Sequence, residues 1–380
     1  MSEHQQPIRL VIAGGGTGGH VLPAVAVVEE LRRRGAVGEM LWIGSRAGVE
    51  REAAEANGIP FAEIETGKLR RYPSIQTVTD AGRIPVGVVQ ARRLLRGFRP
   101  SVVFSTGGFV SVPTVIAAKG TAPVLTHEQT AIIGLANRIN ARFADVFAVS
   151  WDQTAKIARA MHRRVIVTGN PVRGSILHGE RTAGLRRFGF DDQRPLLYVT
   201  GGARGATPIN DRVAAMVPSL LDQVQVLHQT GPDSANSDLA AMQAAAAAWP
   251  EALRRRYHAE PFIREGMADV YAAADIVLGR AGAGTVAELS VLGLPSILVP
   301  LPGAGGDEQT LNARLLGDVG AAVVLPQPDA TPERLQEIIT GLATDPSRRT
   351  AMADAARTIG KPQAAADLAD ALLSIARREN

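Results

Sequence analysis

The chain has 380 residues, 46% hydrophobic and 21% charged, which is ordinary for a globular protein, excludes long disorder and predicts two domains. It contains no cysteine, which excludes disulfides, thiolate metal sites, iron–sulfur clusters and cysteine nucleophiles. The net charge of +4 is uneven: residues 1–165 carry +8 and the remainder −4, so the first half suits an anionic partner.

The N-terminus lacks the basic and apolar regions of a signal peptide, so a cytoplasmic location is expected. Two uncharged stretches, Leu10–Val28 and Pro100–Ala118, approach the length of a membrane span, about 20 residues. Their glycines and prolines instead predict a strand, a glycine loop and a helix start in each. In chain order, apolar runs of strand length are Leu10–Ala13, Met40–Ile43, Val102–Phe104, Pro123–Leu125, Val146–Val149 and Val165–Val167. A second series is Leu196–Val199, Val224–Leu227, Ile276–Leu278, Ile297–Val299 and Ala321–Leu325. Helical patterns lie between them: Ala24–Arg34 (with Pro23 in its first turn), Val49–Ala56, Ile209–Leu221, Thr285–Leu292 and Thr310–Leu316. Near-continuous apolar strands alternating with helices predict doubly wound parallel sheets. The predicted domains are residues 1–168 and 169–345, with C-terminal helices over 346–380 that pack back toward the first domain.

Three glycine loops follow predicted strands: Gly14–His20, Ser105–Phe109 and Thr200–Ala206. Glycines permit positive φ and let backbone N–H groups approach a ligand, and a following helix start favours an anion. Ligands of open α/β sheets bind at these carboxyl ends. The first loop is neither a clean dinucleotide fingerprint nor a P-loop. His20 opens a helix and is a candidate general base. His127-Glu128-Gln129 follows a buried strand as a polar turn. Glu288 is either a capping-box partner of Thr285 or a carboxylate for ribose hydroxyls. No Asp-x-Asp metal motif is present, and neither metal nor cofactor is expected.

Gly15–His20, Gly107–Ser111, His127–Gln129 with Gly134 and Asn137, Gly169–Arg173 and Arg280–Glu288 occur together in one order. With these motifs the chain resembles, over roughly residues 8–375, the bacterial MurG-type UDP-N-acetylglucosamine transferases that make lipid II. The resemblance implies a GT-B architecture, α/β, with two Rossmann-like doubly wound parallel-sheet domains facing a central cleft. It implies metal-independent, inverting transfer of GlcNAc from UDP-GlcNAc to lipid I, at the cytoplasmic face of the cell membrane. The alternative is a paralogous UDP-sugar glycosyltransferase acting on another lipid or a secondary metabolite.

By resemblance the catalytic residues are His20 and Glu128, either of which could be the base. Donor contacts are Thr17, Gly18, Gly19, Arg173, Gly202, Ala203, Arg204, Ile263, Ala283, Gly284, Thr285, Glu288 and Gln309. Phe262 joins Ile263 beside the uracil, and Glu288 takes the ribose. The acceptor side comprises the first two loops with Gly107, Gly108, His127, Thr130 and Asn137. Thr130 stands where the family has Asn, and Ala203-Arg204 where it has Ser-Gln. Expected partners are UDP-GlcNAc, a polyprenyl-diphosphate lipid and an anionic membrane surface, with no nucleic acid. The membrane patch combines Lys68, Arg70, Arg71, Arg83, Arg92, Arg93, Arg96 and Arg99 with Leu69, Tyr72, Ile84 and Val86, predicted to lie in a loop, and with a helix over Val88–Phe98.

Overall fold

The computed structural model describes residues 6–46, 48–67, 75–232, 237–303 and 306–377, without the side chains of 75–81. Lys68, Leu69, Arg70, Arg71 and Tyr72 lie outside the described residues.

The first half alternates strand and helix: β1 (Ile8–Gly14), α1 (Gly18–Arg33), β2 (Val37–Gly44), α2 (Val49–Ala56), β3 (Phe61–Glu63) and α3 (Ile75–Phe98). It continues through β4 (Val102–Gly107), α4 (Ser111–Ala118), β5 (Val124–Glu128), α5 (Leu135–Asn140), β6 (Val146–Val149), α6 (Asp152–Ala158) and β7 (Val165–Val167). These strands form one parallel sheet in the order β3-β2-β1-β4-β5-β6-β7. Side chains alternate across it, as the strand period requires. Leu10 and Ile12 pack with Val21, Val28 and Leu31 of α1, while Val11 and Ala13 pack with Ala91 and Leu95 of α3 and Val115 of α4.

The second half holds α7 (Arg181–Arg187), β8 (Leu196–Thr200), α8 (Thr207–Leu220), β9 (Gln225–Gln229), α9 (Asp238–Ala247), α10 (Glu251–Arg254), β10 (Tyr257–Glu260) and α11 (Met267–Ala273). Then come β11 (Ile276–Gly279), α12 (Ala283–Leu292), β12 (Ser296–Leu298), α13 (Glu308–Gly317), β13 (Ala322–Val324), α14 (Pro332–Thr344), α15 (Pro346–Ile359) and α16 (Ala364–Ala376). Its sheet is parallel, in the order β10-β9-β8-β11-β12-β13. Leu197 and Val199 lie under α8 and α14 in a core with Val213, Met216, Ile339 and Leu342.

The chain divides into two compact units, one up to Gly174 and again from Lys361, the other Ser175–Gly360. The first unit thus extends past the boundary expected at 168. The turn at Gly169 (φ +89°) stays with it because a Cβ there would overlap Lys361, and because its carbonyl is held by His127. Of the C-terminal helices, α15 belongs to the second unit and α16 to the first. Leu368 and Leu372 of α16 complete the core around α1, and Asp370 pairs with Arg34 at 2.5 Å.

Several local expectations are corrected. Helix α1 starts at Gly18, so Pro23 lies beyond the first turn and His20 is its third residue. His127 and Glu128 are the last residues of β5 rather than a turn after it, because the strand continues in register with Ala148 and Val149. Ile84 and Val86 lie on α3, which runs unbroken through Pro85. No helix among the described residues is long and apolar enough to cross a membrane.

Candidate active site

In the first unit, the loops after β1 and β4 lie side by side because their strands are neighbours. The second loop is possible only with glycine. Gly107 and Gly108 have φ of +86° and +76°, and a Cβ on Gly108 would overlap the Gly15 carbonyl and lie 3.3 Å from His20 Nδ1. The structure therefore brings His20, the first loop and Gly108 together. Thr17, Gly18 and Gly19 are exposed at the start of α1, and Thr17 makes no side-chain cap.

The His20 ring is only part-exposed. Its Nδ1 lies 3.0 Å from Thr17 Oγ1, while Nε2 has no hydrogen-bond partner among the described residues. With the proton on Nδ1, Nε2 carries a bare lone pair. Burial holds the imidazole pKa down to about 4, against the opposing effects of the Gly15 backbone and the Glu50 charge. The ring is thus neutral at pH 7, the state a base requires.

Glu128 is placed differently. It is 3% exposed, and its carboxylate is held by donors from the following loop and from α5. Oε1 accepts from the Thr130 N–H (3.1 Å) and hydroxyl (2.8 Å), Oε2 from the Gly134 N–H (2.9 Å) and Asn137 Nδ2 (3.0 Å). Burial raises its pKa, and these four donors act against the rise. Thr130 thus serves as a donor to Glu128. Asn137 also donates to the His127 carbonyl (3.0 Å) and lies under Gly107, where a Cβ would come within 2.9 Å.

His127 is fully buried and offers no surface to a ligand. Gln129 Nε2 lies 3.3 Å from its Nδ1, which assigns the proton to Nε2, 3.0 Å from the Gly169 carbonyl. Its pKa is held down to about 4 by burial. Its work is to pin the turn that leads into half-buried Arg173, whose charge acts on Glu29.

The residue missed in the sequence is Glu50. It is 0% exposed, at the second position of α2. Its Oε2 accepts the Gly16 N–H (2.9 Å), and its Oε1 accepts the Ser45 N–H (2.9 Å) and hydroxyl (2.6 Å). Side chains on Gly15 or Gly48 would overlap its carboxylate, and one on Gly44 would lie 2.7 Å from its Cγ. A Gly-x-Glu at a helix start, following a strand ending in glycine, was the available signal.

The second unit repeats the layout. Its loop after β8 has Gly202 and Gly205 at φ +82° and +73°, with Ala203 and Arg204 exposed between them. A Cβ on Gly205 would overlap the Thr230 carbonyl. Gln229, also missed in the sequence, braces this loop from β9. Its Nε2 donates to Gly202 O and Thr200 Oγ1 (both 3.2 Å), and its Oε1 accepts the Ile263 N–H at 3.0 Å. One buried amide thereby joins the glycine loop to the Phe262-Ile263 segment.

After β11, Arg280 is 7% exposed and donates to the carbonyls of Val299 (3.0 Å) and Pro300 (3.1 Å) and to Gln327 Oε1 (2.7 Å). Those acceptors are neutral, so its charge persists beside the start of α12. Burial and the neighbouring Arg212 charge lower its pKa. Helix α12 begins at Ala283 with Gly282 as an N-cap that makes no side-chain bond, so Ala283, Gly284 and Thr285 form its first turn. This removes the capping-box alternative: Thr285 is inside the helix and Glu288 a turn further on. Tyr271 donates its hydroxyl to Glu288 Oε2 at 2.7 Å. Gln309 Oε1 accepts the Leu301 N–H at 3.0 Å, and Asn312 Nδ2 donates to the Ala281 carbonyl at 3.2 Å.

Two Rossmann-like parallel sheets, each with glycine loops at neighbouring strand ends, define a GT-B glycosyltransferase fold. The chain belongs to glycosyltransferase family 28, whose N-terminal domain matches residues 10–149 and whose C-terminal domain matches residues 196–372. A relative from Treponema pallidum subsp. pallidum is 40% identical over 367 residues, covering 96% of this chain and 94% of its own. One from Exiguobacterium sibiricum is 36% identical, covering 98% and 100%. Both are named UDP-N-acetylglucosamine–N-acetylmuramyl-(pentapeptide) pyrophosphoryl-undecaprenol N-acetylglucosamine transferase. The crystal structure of Acinetobacter baumannii MurG superposes with a TM-score of 0.74 at 29% identity, covering 97% of this chain and all of that one.

Proposed function

We propose that this enzyme transfers N-acetylglucosamine from UDP-N-acetylglucosamine to N-acetylmuramyl-(pentapeptide) pyrophosphoryl-undecaprenol, lipid I, with inversion at the anomeric carbon. The observation that carries the chemistry is His20, neutral, with Nδ1 engaged and Nε2 bare. Nε2 takes the proton of the acceptor hydroxyl as its oxygen attacks the anomeric carbon. The bond from that carbon to UDP breaks, and UDP leaves with the electron pair. Glu128, buried and held by the N–H groups of Thr130 and Gly134 and by Asn137, shapes the acceptor loop and is not the base. Gly107, Gly108, Thr130 and Asn137 form that loop's frame, and His127 holds the turn before Arg173.

The leaving diphosphate requires positive charge or N–H dipoles. Arg173, the Gly202–Arg204 loop and the first turn of α12 backed by Arg280 are suited to supply them. Glu288, oriented by Tyr271, takes the ribose hydroxyls, Ile263 lies beside the uracil, and Gln309 meets the sugar. The direct test is UDP release from UDP-N-acetylglucosamine with and without a lipid I analogue. Release that depends on the analogue supports the reading; release indifferent to it overturns it.

We also infer peripheral binding at the cytoplasmic face of the membrane, through α3. Val86 and Val89 are 49% and 70% exposed on one face of that helix. Arg93 and Arg96 follow on the same face at helical spacing, and Arg83 precedes them. Exposed apolar residues in a basic surround suit an anionic lipid surface.

A further inference from the structure

We propose that a cavity in the second unit, on the opposite edge of its sheet from the glycine loop, binds a small phosphorylated molecule and acts on the donor site through Tyr271. The cavity measures about 430 Å³, which is within the range of small-molecule sites. Ala274, Asp275, Leu294 and Pro295 line it. These residues immediately precede β11 and β12, so the cavity lies at the amino ends of the strands. The glycine loop and the first turn of α12 lie at the carboxyl ends, roughly 13 Å away along the four residues of β11. Only the action on the donor rests on the reading of Glu288 as the ribose carboxylate.

Three arginines line the cavity: Arg181 from α7, and Arg349 and Arg357 from one face of α15 with Ala353 between them. A guanidinium carries five N–H donors in a fixed fork that matches a phosphate, and here much of that capacity is unspent. Arg349 gives only Nη1, to the carbonyls of Leu342 (2.5 Å) and Ala343 (2.8 Å). Arg357 gives only Nη1, to Asp354 at 3.0 Å. Nε and Nη2 of both have no hydrogen-bond partner among the described residues. Arg357 lies across the end of α12, where a Cβ on Gly293 (φ +69°) would come within 2.5 Å of its Nε. Asp275 is the one acid among the described lining residues. Its Oδ2 is already taken by the Leu196 N–H (2.8 Å) and Arg181 Nη2 (3.0 Å). The half of the chain after residue 165 carries −4, so three cations around one committed acid reverse the charge locally.

The remaining wall is largely apolar. Ile176, Leu177 and Leu292 contribute to it, and the small side chains of Ala268, Ala272 and Ala353 leave the space. A phosphate on an apolar body matches both parts of the lining, whereas a bare inorganic ion leaves the apolar part unmatched. Tyr271 of α11 is the wall shared with the donor site. It lines the cavity, and its hydroxyl donates to Glu288 Oε2 at 2.7 Å. Its ring packs edge-on against Tyr198, with centroids 5.9 Å apart. A molecule seated against Tyr271 therefore bears on the bond that orients Glu288. Two ligands that bear on one bond alter each other's affinity by the same factor.

The test uses phenyl phosphate, a phosphate on an apolar body, with inorganic phosphate for comparison and UDP at saturation to fill the donor loop. Calorimetry should find phenyl phosphate binding the UDP-loaded parent, and more tightly than inorganic phosphate. Arg357→Gln removes a side chain whose one hydrogen bond is to exposed Asp354, so folding should hold and phenyl phosphate affinity should fall about tenfold. Ala353→Leu fills the space without altering charge and should abolish binding; should it not fold, as the thermal midpoint will show, Arg357→Gln still decides. Phenyl phosphate at saturation should shift the UDP affinity of the parent by about fivefold. Tyr271→Phe should still bind phenyl phosphate, but its UDP affinity should no longer respond. Binding that is absent, or that is unchanged in Arg357→Gln, overturns the site. Equal affinity for inorganic phosphate overturns the assignment to a phosphorylated molecule. UDP affinity that ignores phenyl phosphate, or responds equally in Tyr271→Phe, overturns the action through Tyr271. Failure of the ribose reading shows separately, as unchanged UDP affinity in Glu288→Gln while phenyl phosphate binding still depends on Arg357.

Discussion

The two units carry glycine loops in the same place, after the first strand of each sheet, but brace them with opposite chemistry. In the first unit the brace is the carboxylate of Glu50, accepting from Gly16. In the second it is the amide of Gln229, donating to Gly202. A carboxylate consumes a loop N–H and places negative charge beneath the loop. An amide donating to a carbonyl consumes no loop N–H and brings no charge; the Gly202 N–H is taken by the neutral Thr200 hydroxyl at 3.0 Å. Similar glycine patterns therefore differ in their fitness for a phosphate, and the difference is decided by the residue underneath. On the proposed reading the second loop takes the diphosphate and the first holds the base.

The largest expected effect tests the first half of that contrast. His20→Ala should lower kcat by about 10²–10⁴, the usual range for losing a general base, and leave UDP affinity nearly unchanged. Steady-state kinetics with calorimetry on the same variant checks both. If UDP affinity falls with kcat, the first loop binds donor phosphate and the contrast fails.

The next effect is on stability. His20 and His127 in the first unit and His228 in the second all have pKa values lowered to about 4 from 6.5, chiefly by burial. They stay neutral in the folded protein while the unfolded chain takes up protons below 6.5. Stability from these groups is complete above that pH and is lost as pH falls toward 4. Glu128, with a raised pKa, works in the opposite direction, losing stability as pH rises through its folded pKa. Urea midpoints measured from pH 7 to 4 should fall. His127→Gln, whose amide can still donate to Gly169, should flatten the slope; an unaltered slope would show that His127 is not held neutral.

Binding measurements sharpen the second half. Gln229→Glu recreates beneath the donor loop the charge found beneath the other. It removes the donor to Gly202 and sets a carboxylate near the diphosphate, so UDP affinity should drop by about tenfold or more. Glu288→Gln keeps the size but weakens a charge-assisted bond to the ribose, for a loss of about tenfold. Calorimetry that finds UDP affinity unchanged in a folded Gln229→Glu protein would remove the electrostatic distinction between the loops.

Much of this was legible in the sequence because it is local. Val49–Ala56, Val146–Val149 and Val165–Val167 were bounded as the structure has them, since apolar periodicity and glycine breaks act over a few residues. Edge strands β3 and β10 were missed because Phe61–Glu63 and Tyr257–Glu260 are short and half polar. The braces were hidden for another reason. Glu50 lies 34 residues beyond the glycine it holds, and Gln229 lies 27 beyond Gly202. Only strand neighbourhood brings each under its loop. His127 and Glu128 were misplaced in a turn because polar residues ending a strand carry no apolar signal. Their burial depends on Asn137, Ser150 and Gly169, all remote in sequence.

The smallest effect concerns the surface charge that also separates the halves of the chain, +8 over residues 1–165 and −4 over the rest. If α3 meets an anionic bilayer, each arginine near the surface contributes about 1 kcal/mol. Arg93→Gln should therefore weaken binding to vesicles containing anionic lipid by about fivefold. Val89→Ser, which removes the apolar residue beside it, should weaken binding at every lipid composition. Arg93 is exposed, so its loss should leave folding and UDP affinity unaltered. The two terms separate by salt. Exposed charges are screened over about 10 Å at 0.1 M ionic strength. The arginine effect should thus shrink as salt rises, while the valine effect persists. Co-sedimentation across a salt series reads both, and an Arg93→Gln protein that binds like the parent at low salt would place the membrane contact away from this face of α3.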